Sequence, residues 1–174
     1  MTAEPTTPEA RASFTRPGTV TVGPMRTPAD AEAFRRIGEE WLTRLFSVTD
    51  ADADLLGDPR GRIVERGGAV LIAHADGEPV GCVALLPYPD RVFELSKMGV
   101  SPGFQGGGIG RRLVTAAVDE ARRLGARRVF LGSSHVLGPA LHLYEEAGFI
   151  RITRADLPVD DYYARADVFM DLPL

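Results

Sequence analysis

The chain has 174 residues, 44% of them hydrophobic and 25% charged, which suits one domain with a sizeable core. A formal net charge of -4 argues against a nucleic-acid partner, which would need a basic face to displace counterions from phosphates. The single cysteine, Cys82, excludes an internal disulfide, and no apolar run approaches the roughly 20 residues of a membrane span, so a cytoplasmic protein with no membrane partner is expected.

Met1 to Gly18 is rich in Pro, Thr and Ala and lacks the apolar core of a secretory signal, so it reads as a flexible tail, leaving residues 19–174 as the domain. Thr19 to Met25 alternates as a first strand. A helix is expected from about Pro28 to Phe46, with Asp30 as a candidate cap and Phe34, Ile37, Trp41, Leu42 and Leu45 as its buried stripe. One or two short helices should follow, with a cap at Thr49 or Asp50, a break from Gly57 to Pro59 and an apolar pair at Ile63 and Val64.

Ala69 to Ala75 and Val80 to Leu86 read as strands joined by the hairpin dipeptide Asp76-Gly77. "RVFELSKMGV" is a further strand that turns at Ser101-Pro102-Gly103 into "FQGGGIGRRL". From Gly108, Ile109, Leu113, Val114, Ala117, Val118, Ala121 and Leu124 keep helical spacing until Gly125 stops them. "RRVFLGSS" is a short buried strand. Pro139 opens a helix that runs through Glu146 and ends at Gly148, and Val168, Met170 and Leu172 point inward from a closing strand. The sum is one α+β domain: a mixed, mostly antiparallel sheet of about six or seven strands flanked by about four helices.

The glycine stretch poses the functional question. A helix N-terminus has unpaired N–H groups and a partial positive charge, and backbone without Cβ atoms lets a pyrophosphate approach those donors. A tight turn with no ligand is the alternative. Neither G-x-G-x-x-G nor the Walker A frame fits. The stretch does fit Q-x-x-G-x-G through Gln105, Gly108 and Gly110, and here the sequence resembles the GNAT N-acetyltransferase superfamily. The likeness runs from about Thr19 to Leu172: "ELSKMGVSPGFQGGGIGRRL" is similar to that family's fourth strand and coenzyme loop, and "PALHLYEEAGF" to its later helix.

The resemblance implies an acetyl-CoA-dependent N-acetyltransferase acting on a small-molecule or peptide amine by direct attack in a ternary complex, with no metal. Gln105, Gly106, Gly107, Gly108, Ile109, Gly110 and Arg111 would hold the pyrophosphate of acetyl-CoA. Met98, Gly99 and Val100 would pair with the pantetheine arm at a free strand edge, with a bulge leaving the N–H near Val100 for the oxyanion. Glu94 matches the position of a general base and Tyr144 that of the donor to the leaving thiolate.

From the residues alone, Glu94 is equally a solvated strand residue or a partner for Lys97, and Tyr144 a packing residue. Leu137 departs from the family, which often has Asn there. His135 is a candidate auxiliary base or a loop-stabilising residue. The acidic run "DLPVDDYY" suggests a cationic amine. A silent acyl-CoA-binding sensor is the alternative to an enzyme, and a homodimer is possible.

Overall fold

The computed structural model describes residues 18–174. The expected tail at residues 1–17 lies outside the described residues. Gly18, the last residue assigned to that tail, already belongs to the fold: its N–H donates to Asp76 Oδ2 at 3.1 Å.

Seven strands of the described residues form one sheet: β1 (Val20–Pro24), β2 (Ala69–Ala75), β3 (Glu78–Tyr88), β4 (Val92–Val100), β5 (Arg128–Ser133), β6 (Ile150–Ile152) and β7 (Val168–Pro173). Their order is β1-β2-β3-β4-β5-β7-β6, antiparallel throughout except for the β4–β5 pair. Among the described residues five α-helices accompany them, against about four expected: α1 (Pro28–Leu45), α2 (Asp50–Gly57), the single turn α3 (Pro59–Arg62), α4 (Ile109–Arg123) and α5 (Gly138–Glu146).

The sheet is buried on both faces, and β2 shows how the strand period divides its residues. Ala69, Leu71, Ala73 and Ala75 join the core that holds Leu113, Val114, Ala117 and Val118 of α4 and Leu141 and Tyr144 of α5. Val70 and Ile72 point the other way, against Phe34, Ile37 and Leu42 of α1 and Leu56 of α2. A third cluster gathers Val92, Phe130, Leu157, Ala166 and Phe169, with Tyr88 and Tyr162 packed on it.

Helix starts correct one sequence expectation. Thr27 caps α1, and Asp30 is its reciprocal partner at the third helical position, accepting from Arg26 and Thr27 N–H. Asp30 therefore completes a capping box. Thr49 and Asp52 repeat the device at α2. The α1 stripe also stops earlier than its periodicity implied: Leu45 is 47% exposed and Trp41 half-buried, because that end of the helix borders a cleft. Of the apolar pair after α3, Ile63 is buried and Val64 exposed. The Asp76-Gly77 turn behaves as expected, both residues taking positive φ (49° and 85°) as a two-residue hairpin of primed type requires.

Two irregularities in β4 position the site. Opposite β3, Ser96 pairs with Ala84 and Gly99 with Cys82, so Lys97 and Met98 together face Val83 and the strand bulges; Lys97 has φ 53°. On its other side β4 pairs with β5 only through Val92, Phe93 and Glu94. Beyond Glu94 the two parallel strands part, and the sheet splits.

Candidate active site

The split opens into two adjoining chambers that share Trp41, Met98, Leu137 and Ala140 in their walls. The outer one, about 590 Å³, lies between the end of α1, the end of β4, the glycine loop and the start of α5. The inner one, about 70 Å³, reaches between β4 and β5 to Lys97, Ser133, Tyr144, Tyr162, Tyr163 and Arg165.

The glycine loop forms one end of the outer chamber. Gly106 and Gly108 adopt φ 81° and 85°, a backbone region costly for residues with a Cβ. Gly108 is the N-cap of α4 and supplies no side-chain acceptor, so the first-turn N–H groups of Ile109, Gly110 and Arg111 face outward without a capping side chain. No acidic residue occupies that turn. Gly110 has a packing reason of its own, since a Cβ there would lie 2.9 Å from Leu143 Cδ1. Arg111 is exposed and paired with Glu146 at 2.9 Å. Arg112 instead donates to the Val20 carbonyl, tying α4 to β1.

Met98, Gly99 and Val100 lie on the free flank of β4 and line the outer chamber. Ser101 N–H donates to the Val80 carbonyl at 2.8 Å, which in an antiparallel ladder turns the peptide groups of Val100 away from β3, toward the split. Gln105 Nε2 donates to the Val100 carbonyl at 3.0 Å, pinning the loop to the strand end. The adjacent Ser101 hydroxyl is buried without a partner among the described residues.

Tyr144 is buried, and its hydroxyl lies 4.0 Å from Met98 Sδ at the junction of the chambers. Burial pushes its pKa upward, so the phenol keeps its proton at neutral pH. Leu137 caps α5 without a side-chain hydrogen bond and gives both chambers an apolar wall.

Glu94 sits deeper than a solvated strand residue. It is 2% exposed, and its carboxylate accepts from Tyr88 Oη at 2.9 Å and Tyr162 Oη at 2.6 Å. Burial raises its pKa above the usual carboxylate range, although both hydroxyls and the nearby Lys97 charge oppose that rise. Tyr162, whose ring lines the inner chamber, stands next to it in this chain of hydrogen bonds and also accepts from Gly132 N–H at 3.0 Å.

Lys97 is not Glu94's hydrogen-bonded partner. Its ammonium lies 2.7 Å from Asp52 Oδ1, and Arg165 binds the same carboxylate through two 2.8 Å contacts. Burial alone would raise the Asp52 pKa, but the bonds from Arg165 and Lys97 outweigh it and hold the carboxyl far below its usual range. The sequence reading missed Asp52, Arg165, Tyr88 and Tyr162. One signal was available: the chain's only lysine falls within an apolar strand.

His135 and Asp167 tie the loop after β5 to the segment before β7 through a backbone and a side-chain contact, and the imidazole is largely exposed. The loop-stabilising alternative accounts for that geometry.

A parallel strand pair that opens beside an uncapped, glycine-mouthed helix is the arrangement that the resemblance to the GNAT superfamily implied. The comparisons give the family. A model described as the acetyltransferase (GNAT) family matches residues 31–149, and the chain belongs to that family. An amino-acid acetyltransferase of Ralstonia nicotianae is 34% identical over 145 residues, which are 80% of this chain and 31% of that protein. The uncharacterized N-acetyltransferase YjgM of Escherichia coli is 32% identical over 133 residues, 74% of this chain and 78% of the relative. The chain thus spans about a third of the first relative and about three quarters of the second. In fold it is similar to yncA from Salmonella typhimurium, solved with its cofactor acetyl-CoA: TM-score 0.70, 23% identity, 88% of this chain and 93% of that one covered.

Proposed function

We propose that the protein transfers an acetyl group from acetyl-CoA to a primary amine by direct attack in a ternary complex. The observation that carries this reading is the coincidence of the β4–β5 split with the uncapped N-terminus of α4. Naked amides there suit a pyrophosphate, and the open flank of β4 beside them suits an extended pantetheine arm that adds to the sheet as a strand would.

The loop from Gln105 through Gly106, Gly107, Gly108, Ile109 and Gly110 to Arg111 holds the pyrophosphate. Met98, Gly99 and Val100 receive the pantetheine, which directs the thioester toward the chamber junction. The amine nitrogen attacks the thioester carbon, and the Val100 N–H stabilises the developing oxyanion. The tetrahedral adduct then expels the CoA thiolate, which takes a proton from Tyr144.

Glu94 is the general base, acting through the Tyr162 hydroxyl rather than by contact. The ammonium proton enters at the Tyr162 oxygen as the Tyr162 proton moves to Glu94. A carboxylate of ordinary pKa is a weak base toward an ammonium, so the upward shift that burial gives Glu94 improves the match.

The test is release of CoA thiol from acetyl-CoA in the presence of a panel of amines, with acetylated product identified by mass. Gly108→Val should weaken acetyl-CoA binding at least tenfold, because a branched side chain strains the positive φ of the cap and so displaces the amides that follow it. Unchanged cofactor affinity in that variant would refute the assignment. An acyl-CoA sensor would bind cofactor yet acetylate no amine.

A further inference from the structure

The inner chamber carries charges that the acetyl-transfer steps do not use. Lys97 from β4 and Arg165 from the segment before β7 both line it, and both are anchored on Asp52 of α2. Two cations share one carboxylate. Asp52 has no capacity left, since Oδ1 takes Lys97 and Arg165 while Oδ2 takes Arg165 and the N–H and hydroxyl of Thr49. Most of the Arg165 donors, and one on Lys97, remain for a further acceptor.

The neighbouring carboxylate does not cancel this surplus at the chamber wall. Both oxygens of Glu94 are occupied by tyrosine hydroxyls, and Tyr162, not Glu94, lines the chamber. Asp156, Asp160 and Asp161, whose acidity suggested a cationic substrate, are exposed and absent from the walls of both chambers. The charged residues that line the inner chamber are Lys97 and Arg165, so the charge that a substrate meets there is positive.

We infer that the acceptor is a small amine bearing a carboxylate, which docks on Arg165 with Lys97 behind it while the amine faces the thioester. The inference rests on the acetyltransferase reading and deepens it. A guanidinium is planar and matches a carboxylate in two-point contact. Arg165 has 20% of its side chain exposed against 2% for Lys97, so it is the reachable cation. The rings of Tyr162 and Tyr163 and the small chamber, about 70 Å³, suit a carboxylate and the carbon that carries it better than a peptide chain.

Two measurements test this. In competition for acetyl-CoA, small amino acids should be acetylated about tenfold or more better than their primary amides, the loss expected for one charge-assisted hydrogen-bonded contact. In calorimetry on the CoA-saturated protein, N-acetylglycine should bind more tightly than N-acetylglycinamide. Arg165→Gln should raise KM for the acids far more than it lowers kcat and should collapse the acid-over-amide ratio, with Arg165→Lys restoring part of it.

Amides used as well as the acids, or a ratio untouched by Arg165→Gln, would overturn the inference while leaving the acetyltransferase reading intact. Transfer to no amine, with N-acetylglycine still preferred over its amide in binding, would overturn the enzyme reading and support the anion-binding pocket. Should Arg165→Gln fail to fold, the acid–amide comparison in the unaltered protein decides.

Discussion

At the scale of single residues, the site depends on positions where an atom is missing as much as on those where one is present. A Cβ on Gly132 would lie 2.1 Å from the Tyr162 ring, so glycine is what lets that tyrosine reach Glu94. Gly132→Ala should displace the ring, lower kcat and leave acetyl-CoA affinity near normal, as separate turnover and binding measurements would show. Glu94 itself yields a pH prediction. Its raised pKa means that the basic form, and with it activity, is lost as pH falls through that value, a limb that Glu94→Gln should abolish along with about a hundredfold or more of the rate. The stability sign is opposite to that of a salt-bridged carboxylate. Between the unfolded and folded pKa values the folded state holds the extra proton, so this group's contribution to stability declines as pH rises through the window, and unfolding curves of Glu94→Gln should lack that decline. None of this was legible in the sequence beyond the identity of Glu94, since a tyrosine 68 residues away in the chain decides its environment.

At the scale of elements, helices and strands with strong periodicity followed their residues closely. The α4 stripe is buried from Ile109 to Ala121 as its spacing required, with its last member, Leu124, half-buried at the helix end, and the hairpin between β2 and β3 turns where Asp76-Gly77 placed it. The end of α1 did not follow, because Trp41 and Leu45 border a cleft that no local pattern announces. Asp52 shows how one residue joins elements: it completes the capping box of α2 and clamps Lys97 of β4 and Arg165 before β7. Asp52→Ala leaves two cations without their shared anion and should cost about 3–5 kcal/mol in urea unfolding. Because the folded pKa of Asp52 is depressed, its contribution is present above the unfolded value and is lost as pH falls below it. The variant should accordingly show a weaker acid-side loss of stability than the parent.

At the scale of the whole molecule, the sheet is two pieces hinged at a short parallel junction: β1 to β4 on one side, β5 with β7 and β6 on the other, joined through Val92, Phe93 and Glu94. A cofactor lying along the open flank of β4 would contact both pieces, so acetyl-CoA at about 100 times its Kd should stabilise the fold by about 2.7 kcal/mol. Thermal unfolding with and without ligand would measure this, and no rise in Tm would count against a cofactor seated in the split. Family, fold class and the glycine-mouthed start of α4 could be read from the chain, because periodicity, turn residues and glycines at a helix start are local features that backbone sterics and hydrogen bonding tie to short stretches of sequence. The parting of β4 from β5, the tyrosine enclosure of Glu94 and the cationic lining of the inner chamber were settled only by tertiary structure. Burial, and the charge a substrate would meet, are properties of groups brought together from distant parts of the chain, and no window of sequence contains them all.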